Sequence, residues 1–280
     1  MIEDAKKNRN CCQNRLKGED NMKKTFIFFL SFCMLIGAIS FPIHAEGESY
    51  SWYCKHVKGH AQPQLDEGLA FVEELGGYYL DRQATDEDKV IYLTFDAGYE
   101  NGNVAKTLDI LRDEGVPAAF FVLGHLIKND TELVKRMADE GHLVCNHTAK
   151  HKDMSKFDNQ AFLDELVALE RIYADMVGGE MAHYYRPPEG KFSRQNLVCA
   201  SENGYKTIFW SFAYPDWDNN RQMSPDKALR IILDNAHNGE VMLLHPTSAT
   251  NAAVLPEVIR TLKSQGFRFG TLDELTGKGA

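Results

Sequence analysis

Side chains able to carry out acid–base chemistry lie at or shortly after the ends of apolar runs in this sequence. They comprise an Asp, two His, an Arg, an Asp-Trp pair and a last His. In order, they are Asp96 after VIYLTF, His147 and His151 after HLVCN, Arg186 in HYYRPP, Asp216 and Trp217 after YKTIFWSF, and His245 at the end of EVMLLH. Carboxylates and imidazoles are common proton carriers in enzymes, so this set predicts acid–base chemistry.

His147 and His151 lie four positions apart in HTAKH. That spacing would place both imidazoles on one face of a helical turn. Two imidazoles in that arrangement suit two ligand positions of an ion such as Zn²⁺. An H-x-x-x-H pattern alone is more often a pair of ordinary histidines, so the interpretation depends on where the pair lies in the fold.

The apolar runs alternate with segments of helical spacing, and this alternation predicts the elements that position the site. Strands are predicted at 90–95, 118–124, 142–146, 183–188, 205–212 and 240–245, with a short last strand in FRFGTL. Helices are predicted at 103–113, 131–140, 159–177 and 251–265, and others begin at 193 and 224. Alternating strands and helices favour right-handed βαβ units and a parallel sheet.

Six or seven such repeats predict an α/β fold, namely a distorted (β/α) barrel of about seven parallel strands, similar to a TIM barrel. No G-x-G-x-x-G follows the first strand, which disfavours a dinucleotide-binding fold. The carboxyl ends of the strands in such a barrel form one rim, where active sites lie. Because the polar residues follow strands, we predict that they meet at that rim.

The chain before the predicted barrel divides into three parts. Residues 1–21 are predicted to be unstructured or an upstream extension. Residues 22–45 have a basic start, an apolar run of about sixteen residues and a small residue before the break, which is typical of a secretory signal peptide. An uncleaved membrane anchor is the alternative, although the run is short for a spanning helix. Residues 46–88 are predicted to be an extension that packs on the barrel domain, 89–280.

Composition argues against one class of partner. The net charge is −9, and it becomes about −12 without residues 1–45, because these carry seven Lys or Arg and four Asp or Glu. So acidic a chain is not expected to bind nucleic acid. The remaining cysteines, Cys54, Cys145 and Cys199, include no close pair and predict no disulfide framework.

Five motifs occur in the order of a known family. They are TFDAG (94–98), HTAKH (147–151), RPPEG (186–190), DW (216–217) and LLH (243–245). Together they resemble the polysaccharide deacetylases, the family 4 carbohydrate esterases with NodB homology, over about residues 90–275. WYCKHVKGHAQP, FDAGYENG and LLHPTSATNA further resemble the delta-lactam-biosynthetic de-N-acetylases. That branch acts on muramic acid of the spore cortex in endospore-forming bacteria.

The resemblance implies roles for four of the residues. Asp96 would be the general base that deprotonates the attacking water. Arg186 would pair with Asp96, orient it and lower its pKa. Asp216 would tune His245, which would protonate the leaving amine.

The resemblance also implies a divalent metal, Zn²⁺, held by His147 and His151. The family's third ligand is the second Asp of an FDD motif, and here that position is Ala97, whose methyl group cannot coordinate. Three interpretations remain open. The two His could hold the ion together with water and substrate, Glu100 or Asn101 could complete the site, or the base could activate water without a metal.

Residues that contact substrate follow from the same motifs. The resemblance implies that Trp217 and Leu243 form walls of the acetyl pocket. Tyr99 and Pro187, which lie within the matching motifs, are also expected to contact substrate. Glu189 of RPPEG is expected to be solvated.

Three functions stand as hypotheses. The leading one is hydrolysis of the N-acetyl amide of N-acetylmuramic acid in peptidoglycan, leading to muramic delta-lactam in spore cortex. The alternatives are deacetylation of N-acetylglucosamine or chitin-type polymers, and a catalytically inactive wall-glycan-binding protein. The expected partners are peptidoglycan glycan strands. The expected location is outside the cytoplasmic membrane, in the cell wall or the spore intermembrane space.

Overall fold

A computed structural model of the protein describes residues 48–57 and 59–277. The strands in these ranges are β1 (Ser49–Ser51), β2 (Gly77–Tyr78), β3 (Lys89–Ala97), β4 (Ala119–Val122), β5 (Leu143–Asn146), β6 (Ala182–Tyr185), β7 (Lys191–Ser193), β8 (Lys206–Ile208), β9 (Glu240–Leu244) and β10 (Phe267–Phe269). The predicted upstream extension (1–21) and signal peptide (22–45) lie outside the described residues.

The helices in the same ranges alternate with the strands, as the sequence predicted. They are α1 (Phe71–Glu74), α2 (Asn103–Glu114), α3 (Gly124–Asn129), α4 (Thr131–Asp139), α5 (Asn159–Met176), α6 (Arg194–Glu202), α7 (Pro225–Asn235), α8 (Ala249–Ser264) and α9 (Leu272–Leu275). Short 3₁₀ turns lie at Glu67–Leu69, Met154–Lys156 and Pro188–Gly190. Among the described residues, no helix is long and apolar enough to cross a membrane.

All the strands except β1 and β7 form one parallel sheet that curls into a barrel. Its order is β10-β3-β4-β5-β6-β8-β2, and β9 pairs with the other side of β3. A bridge from Phe212 to Met242 and another from Leu80 to Glu240 connect β9 with the chain after β8 and β2. The predicted distorted (β/α) barrel of about seven parallel strands is confirmed, and β2 adds a short eighth strand to its sheet.

Strand β3 divides its side chains between two layers of the core. Tyr92 packs inside the barrel, whereas Phe95 and Ala97 belong to the cluster beneath the helices, which includes Val104 of α2. Successive side chains of a strand point to opposite faces. Asp96 therefore shares the inner face with Tyr92 and reaches the cleft described below, while the methyl group of Ala97 is fully buried in the outer layer.

The part of the extension that is described, from residue 48, packs on the barrel. Its strand β1 pairs antiparallel with β7. The indole of Trp52 is buried, stacks on Phe209 with ring centroids 4.3 Å apart, and donates a hydrogen bond from Nε1 to the Trp210 carbonyl at 2.9 Å. The imidazole of His56 bonds the Ala213 carbonyl at 2.8 Å. The extension thus holds the chain that leaves β8.

Candidate active site

The carboxyl ends of the strands surround one cleft of about 800 Å³. It contains most of the polar residues that the sequence singled out, together with aromatic and small residues between them. The lining residues are Asp96, Gly98, Tyr99, Leu123, His147, His151, Glu189, Trp210, Ala213, Tyr214, Trp217, Leu243, His245 and Thr247. Arg186 and Asp216 lie directly behind this lining and contact it, as described next.

Asp96 and Arg186 form a buried ion pair at the base of the cleft. Arg186 Nη1 donates to Asp96 Oδ1 at 2.8 Å, and the guanidinium is completely excluded from solvent. Burial alone would raise the pKa of Asp96, but the neighbouring His147 and Arg186 outweigh it and the pKa lies below its usual value. Near pH 7 the charge that stabilises the Asp96 carboxylate is that of Arg186, because His147 is neutral there.

Three further donors of Arg186 are used by the barrel. Its Nε donates to the Ile208 carbonyl at 3.1 Å, and its Nη2 donates to Thr94 Oγ1 at 2.9 Å and to the Phe209 carbonyl at 3.2 Å. The guanidinium also lies over the ring of Phe121, 4.1 Å from its centroid. A planar fork with five donors can make this set of contacts, whereas a lysine cannot. Arg186 is therefore fixed in place before any substrate binds.

The histidine loop, residues 147–151, is not the helical turn that the spacing predicted. Thr148 and His151 both have positive φ, of 72° and 55°. The Asn146 side chain accepts a hydrogen bond from Thr148 N at 2.9 Å, and Thr148 Oγ1 accepts one from His151 N at 3.0 Å. These side-chain bonds replace the helical backbone bonds. The loop still brings the two imidazoles together, with His147 and His151 ring centroids 5.0 Å apart.

His147 is held in one tautomer. Its Nδ1 lies 2.9 Å from the Arg186 carbonyl, which can only accept, so Nδ1 carries the proton. Burial lowers the pKa of His147 to about 4, despite the opposing charge of Asp96. The imidazole is therefore neutral near pH 7, and its Nε2 presents a lone pair 3.5 Å from Asp96 Oδ2. This is the state in which a histidine can bind a metal.

His245 belongs to a second hydrogen-bonded group across the cleft. Its Nδ1 bonds Asp216 Oδ1 at 2.7 Å, and its backbone N donates to Asp216 Oδ2 at 2.8 Å. Asn251 Nδ2 donates to the same Oδ2 at 2.6 Å and to the His245 carbonyl at 3.1 Å. Burial alone would lower the pKa of His245, but the hydrogen bond and charge of Asp216 outweigh it and raise the pKa. The ring suits proton donation into the cleft.

Neither of the proposed substitute ligands lies at the histidine pair. The Glu100 carboxylate accepts hydrogen bonds from Gly102 N and Val104 N at 2.9 and 3.0 Å, where it caps α2. Asn101 Nδ2 donates to the Thr247 carbonyl at 2.8 Å. Because both side chains are engaged in these contacts, the structure gives no support to Glu100 or Asn101 as the third ligand. Within residues 48–57 and 59–277, no three His, Cys, Asp or Glu side chains are placed to hold an ion.

The described donors fit a metal only in part. The neutral imidazole of His147, with its free Nε2, and the adjacent imidazole of His151 offer two nitrogen ligands of the kind that Zn²⁺ prefers. With Ala97 buried beneath the helices, position 97 adds no ligand to this pair. Such a site would bind an ion more weakly than one with three protein ligands.

The residues expected to bind substrate divide into two groups. Leu243 is buried and lines the cleft, whereas Trp217 is 60% exposed, with its ring 6.2 Å from that of His245. Tyr99 is also exposed at the rim, where its hydroxyl accepts from Asn219 Nδ2 at 2.6 Å. Pro187 is buried and is not among the residues that line the cleft.

Sequence reasoning did not single out some residues that support the site. Thr94 orients Arg186 and Asn251 orients Asp216, and both lie within stretches quoted above for their resemblance. A Thr two residues before an Asp in a strand, or an Asn inside a helix, carries no signal of its role until the fold is known. Glu189 is 58% exposed at its side chain, as expected, yet it also lines the cleft.

The fold and the site together define a class of enzyme. A carboxylate with a lowered pKa and an imidazole with a raised pKa line one cleft at the carboxyl rim of a (β/α) barrel. The first can take a proton from water and the second can give one to a leaving group, which is the pair that hydrolysis requires. The arrangement is that of a hydrolase.

Comparisons with known proteins identify the family. Residues 83–208 match the family model described as polysaccharide deacetylase. The peptidoglycan-N-acetylmuramic acid deacetylase PdaA of Bacillus subtilis is 36% identical over 243 residues, which cover 86% of this chain and 91% of that protein. An uncharacterized 30.6 kDa protein of Geobacillus stearothermophilus is 40% identical, with 89% and 91% covered.

A solved structure agrees with these matches. The structure of Bacillus subtilis PdaA, described as a family 4 carbohydrate esterase, superposes with a TM-score of 0.78 at 37% identity and covers 83% of this chain and 99% of that one. This chain therefore belongs to the polysaccharide deacetylases of carbohydrate esterase family 4.

The ion pair of Arg186 gives a testable prediction for stability. Arg186→Met should lower the free energy of unfolding by about 3–5 kcal/mol, because it leaves Asp96 charged and unpaired in a buried place. Arg268→Met is the matched control, since Arg268 also bridges carboxylates, those of Asp88 and Glu274, but is 42% exposed. The control should cost less than about 1 kcal/mol. Denaturant unfolding followed by circular dichroism measures both, and equal losses would contradict the account.

Proposed function

We propose that this protein hydrolyses the N-acetyl amide of N-acetylmuramic acid in peptidoglycan glycan strands. The observation that carries the proposal is the cleft in which Asp96, paired with Arg186, shares one space with His245, paired with Asp216. The relative named peptidoglycan-N-acetylmuramic acid deacetylase, 91% of which is covered at 36% identity, supports the choice of substrate.

Asp96 acts as the general base. Arg186 keeps its carboxylate ionised and aims one oxygen away from the guanidinium, so that Oδ2 is available to a water in the cleft. Removal of a proton from that water by Asp96 forms the nucleophile that attacks the acetyl carbonyl carbon. Nε2 of His147 lies 3.5 Å from Oδ2 but carries no proton, because the ring proton is on Nδ1. It therefore cannot protonate the Asp96 carboxylate.

His245 acts as the general acid. Its raised pKa keeps a proton on the ring to higher pH, and Asp216 stabilises the positive charge until the proton is given to the departing amine nitrogen. The carbon–nitrogen bond then breaks, and the products are acetate and a free amine on the sugar. Leu243 and the exposed Trp217 beside His245 form the apolar part of the cleft that receives the acetyl methyl group.

A divalent ion, Zn²⁺ in our proposal, would be held by His147 and His151. When bound, it would polarise the acetyl carbonyl and favour ionisation of water. The neutral tautomer of His147 supports this assignment. Glu100 caps α2 and Asn101 bonds the Thr247 carbonyl, so our proposal takes the two histidines, water and substrate as the ligands. Activation of water by Asp96 without a metal is the alternative.

The product and location complete the proposal. The amine freed on muramic acid can close onto the lactyl carboxyl with loss of water, which forms the muramic delta-lactam of spore cortex. Residues 22–45 provide the export signal that brings the enzyme to the wall or the spore intermembrane space. The motifs of the lactam-forming branch support this assignment.

The central test is acetate release from wall glycan freed of its peptide stems. We expect the protein to release acetate, and Asp96→Asn and His245→Ala to lower kcat/KM by about 10²–10⁴, since each removes one proton carrier. Glycan of N-acetylglucosamine alone, which lacks the lactyl group, is the substrate control and should be a poorer substrate. Retained activity in either variant would refute the assignment. Preference for the control would favour the glucosamine alternative, and glycan binding without acetate release would favour an inactive binding protein.

The two-histidine metal site has its own test. Protein brought to equilibrium with Zn²⁺ by dialysis should bind about one ion per chain by elemental analysis, and His147→Ala and His151→Ala should bind none. Glu100→Gln is the control and should retain zinc like the wild type, because that side chain caps α2. Equal zinc in all variants would show that the ion lies elsewhere, and loss of zinc in Glu100→Gln would favour Glu100 as the third ligand.

A further inference from the structure

Backbone strain is concentrated around the cleft. Among the described residues, four that are not glycine have positive φ: His60, Thr148, His151 and Glu189. Three of these belong to the histidine loop or to the turn that follows the neighbouring strand β6. Such conformations are costly for residues with a Cβ and persist where the surroundings enforce them. In the histidine loop, the hydrogen bonds that the Asn146 and Thr148 side chains accept hold these conformations.

Glu189 has φ 55° and ψ 13°, and hydrogen bonds of the next residue, Gly190, hold it in this conformation. Gly190 N donates to the Pro187 carbonyl at 3.0 Å, and Trp52 N donates to the Gly190 carbonyl at 2.8 Å. A Cβ on Gly190 would lie 2.9 Å from the ring of Trp210 and 3.1 Å from Trp52 Cβ, so the turn is closely packed. The extension thus fixes the direction in which Glu189 presents its side chain.

The contacts of Glu189 within the protein do not repay this strain. Its carboxylate bonds Lys191 Nζ at 2.6 Å, but the side chains are 58% and 38% exposed. An exposed pair of this kind contributes little to stability. A glycine at position 189 would adopt the same backbone without steric strain. A carboxylate held in an unfavourable conformation at the edge of a cleft points to a role in binding.

The chemistry of the side chain indicates what it binds. The hydrogen bond and charge of Lys191 lower the pKa of Glu189, so it is an ionised group that only accepts hydrogen bonds. It is, with Asp96, one of two carboxylates among the residues that line the cleft. Unlike Asp96, it has no buried cation, and most of its surface is open to a ligand. A glycan offers hydroxyl donors of matching chemistry.

We propose that Glu189 is a specificity-determining residue, whose carboxylate accepts hydrogen bonds from glycan hydroxyl groups on the histidine-loop side of the cleft. This inference rests on the proposed function, because it takes the glycan as substrate. The same charge disfavours a substrate carboxylate at that place. Glu189 thereby sets the orientation in which the sugar enters, while Asp96 and His245 act on its acetyl group.

The test compares Glu189→Gln with Lys191→Met on peptide-free wall glycan. Glu189→Gln should raise KM about five- to tenfold with kcat within about twofold, because a charged acceptor is lost away from the reacting atoms. Lys191→Met leaves the carboxylate in place, so KM should stay within about twofold of the wild type. An unchanged KM in Glu189→Gln, or an equal rise in both variants, would overturn the role of Glu189.

Two further measurements separate this role from others. Glu189→Gly should raise the thermal midpoint by roughly 2–4 °C, because it removes backbone strain, and should raise KM as Glu189→Gln does. Zinc retention should be the same in Glu189→Gln as in the wild type, and its loss would show instead that Glu189 is a metal ligand.

Failure of this proposal and failure of the proposed function give different results. A wild-type protein that releases no acetate refutes the proposed function. Calorimetric titration with the same glycan, which requires no turnover, then decides the role of Glu189 alone. Weaker binding by Glu189→Gln than by Lys191→Met supports the role, and equal binding overturns it.

Discussion

The buried ion pair between Arg186 and Asp96 is the interaction on which the site depends. The guanidinium is hydrogen-bonded to Thr94 of β3 and to two carbonyls at the end of β8. The backbone carbonyl of Arg186 fixes the tautomer of His147. One side chain therefore joins three strand ends and sets the charge of the base. Without the guanidinium, burial would raise the pKa of Asp96 and make its ionised form less favourable. The same contacts thus pack the barrel and keep the base ionised.

The acid lies in a second framework, independent of the first. Asp216 holds both the ring and the backbone of His245, and Asn251 at the start of α8 holds Asp216. Base and acid therefore approach the substrate from different strands, each with its own charged partner. The opposite shifts of their pKa values, downward for Asp96 and upward for His245, follow from these partners and oppose the effect of burial in both cases.

Much of this could be predicted from the sequence, because strand runs and the order of motifs are local signals. The barrel and the clustering of Asp96, His147 and His245 at one rim followed from polar residues placed after apolar runs. The histidine loop did not follow, because Asn146 and Thr148 compete with helical hydrogen bonding through their side chains. The engagement of Glu100 as a helix cap, and the strain at Glu189, depend on the turn geometry and on the distant Trp52. Sequence spacing carries no information about such contacts.

The dependence of kcat/KM on pH, measured for the wild type and Asp216→Asn, tests the central claim most directly. In the wild type, Asp216 raises the pKa of His245, so the acid keeps its proton to higher pH. Without that charge the proton is lost earlier, and the account predicts that the descending limb moves to lower pH while the ascending limb, set by Asp96 and Arg186, stays in place. A descending limb that does not move would contradict the account, because the acid would then be a group other than His245.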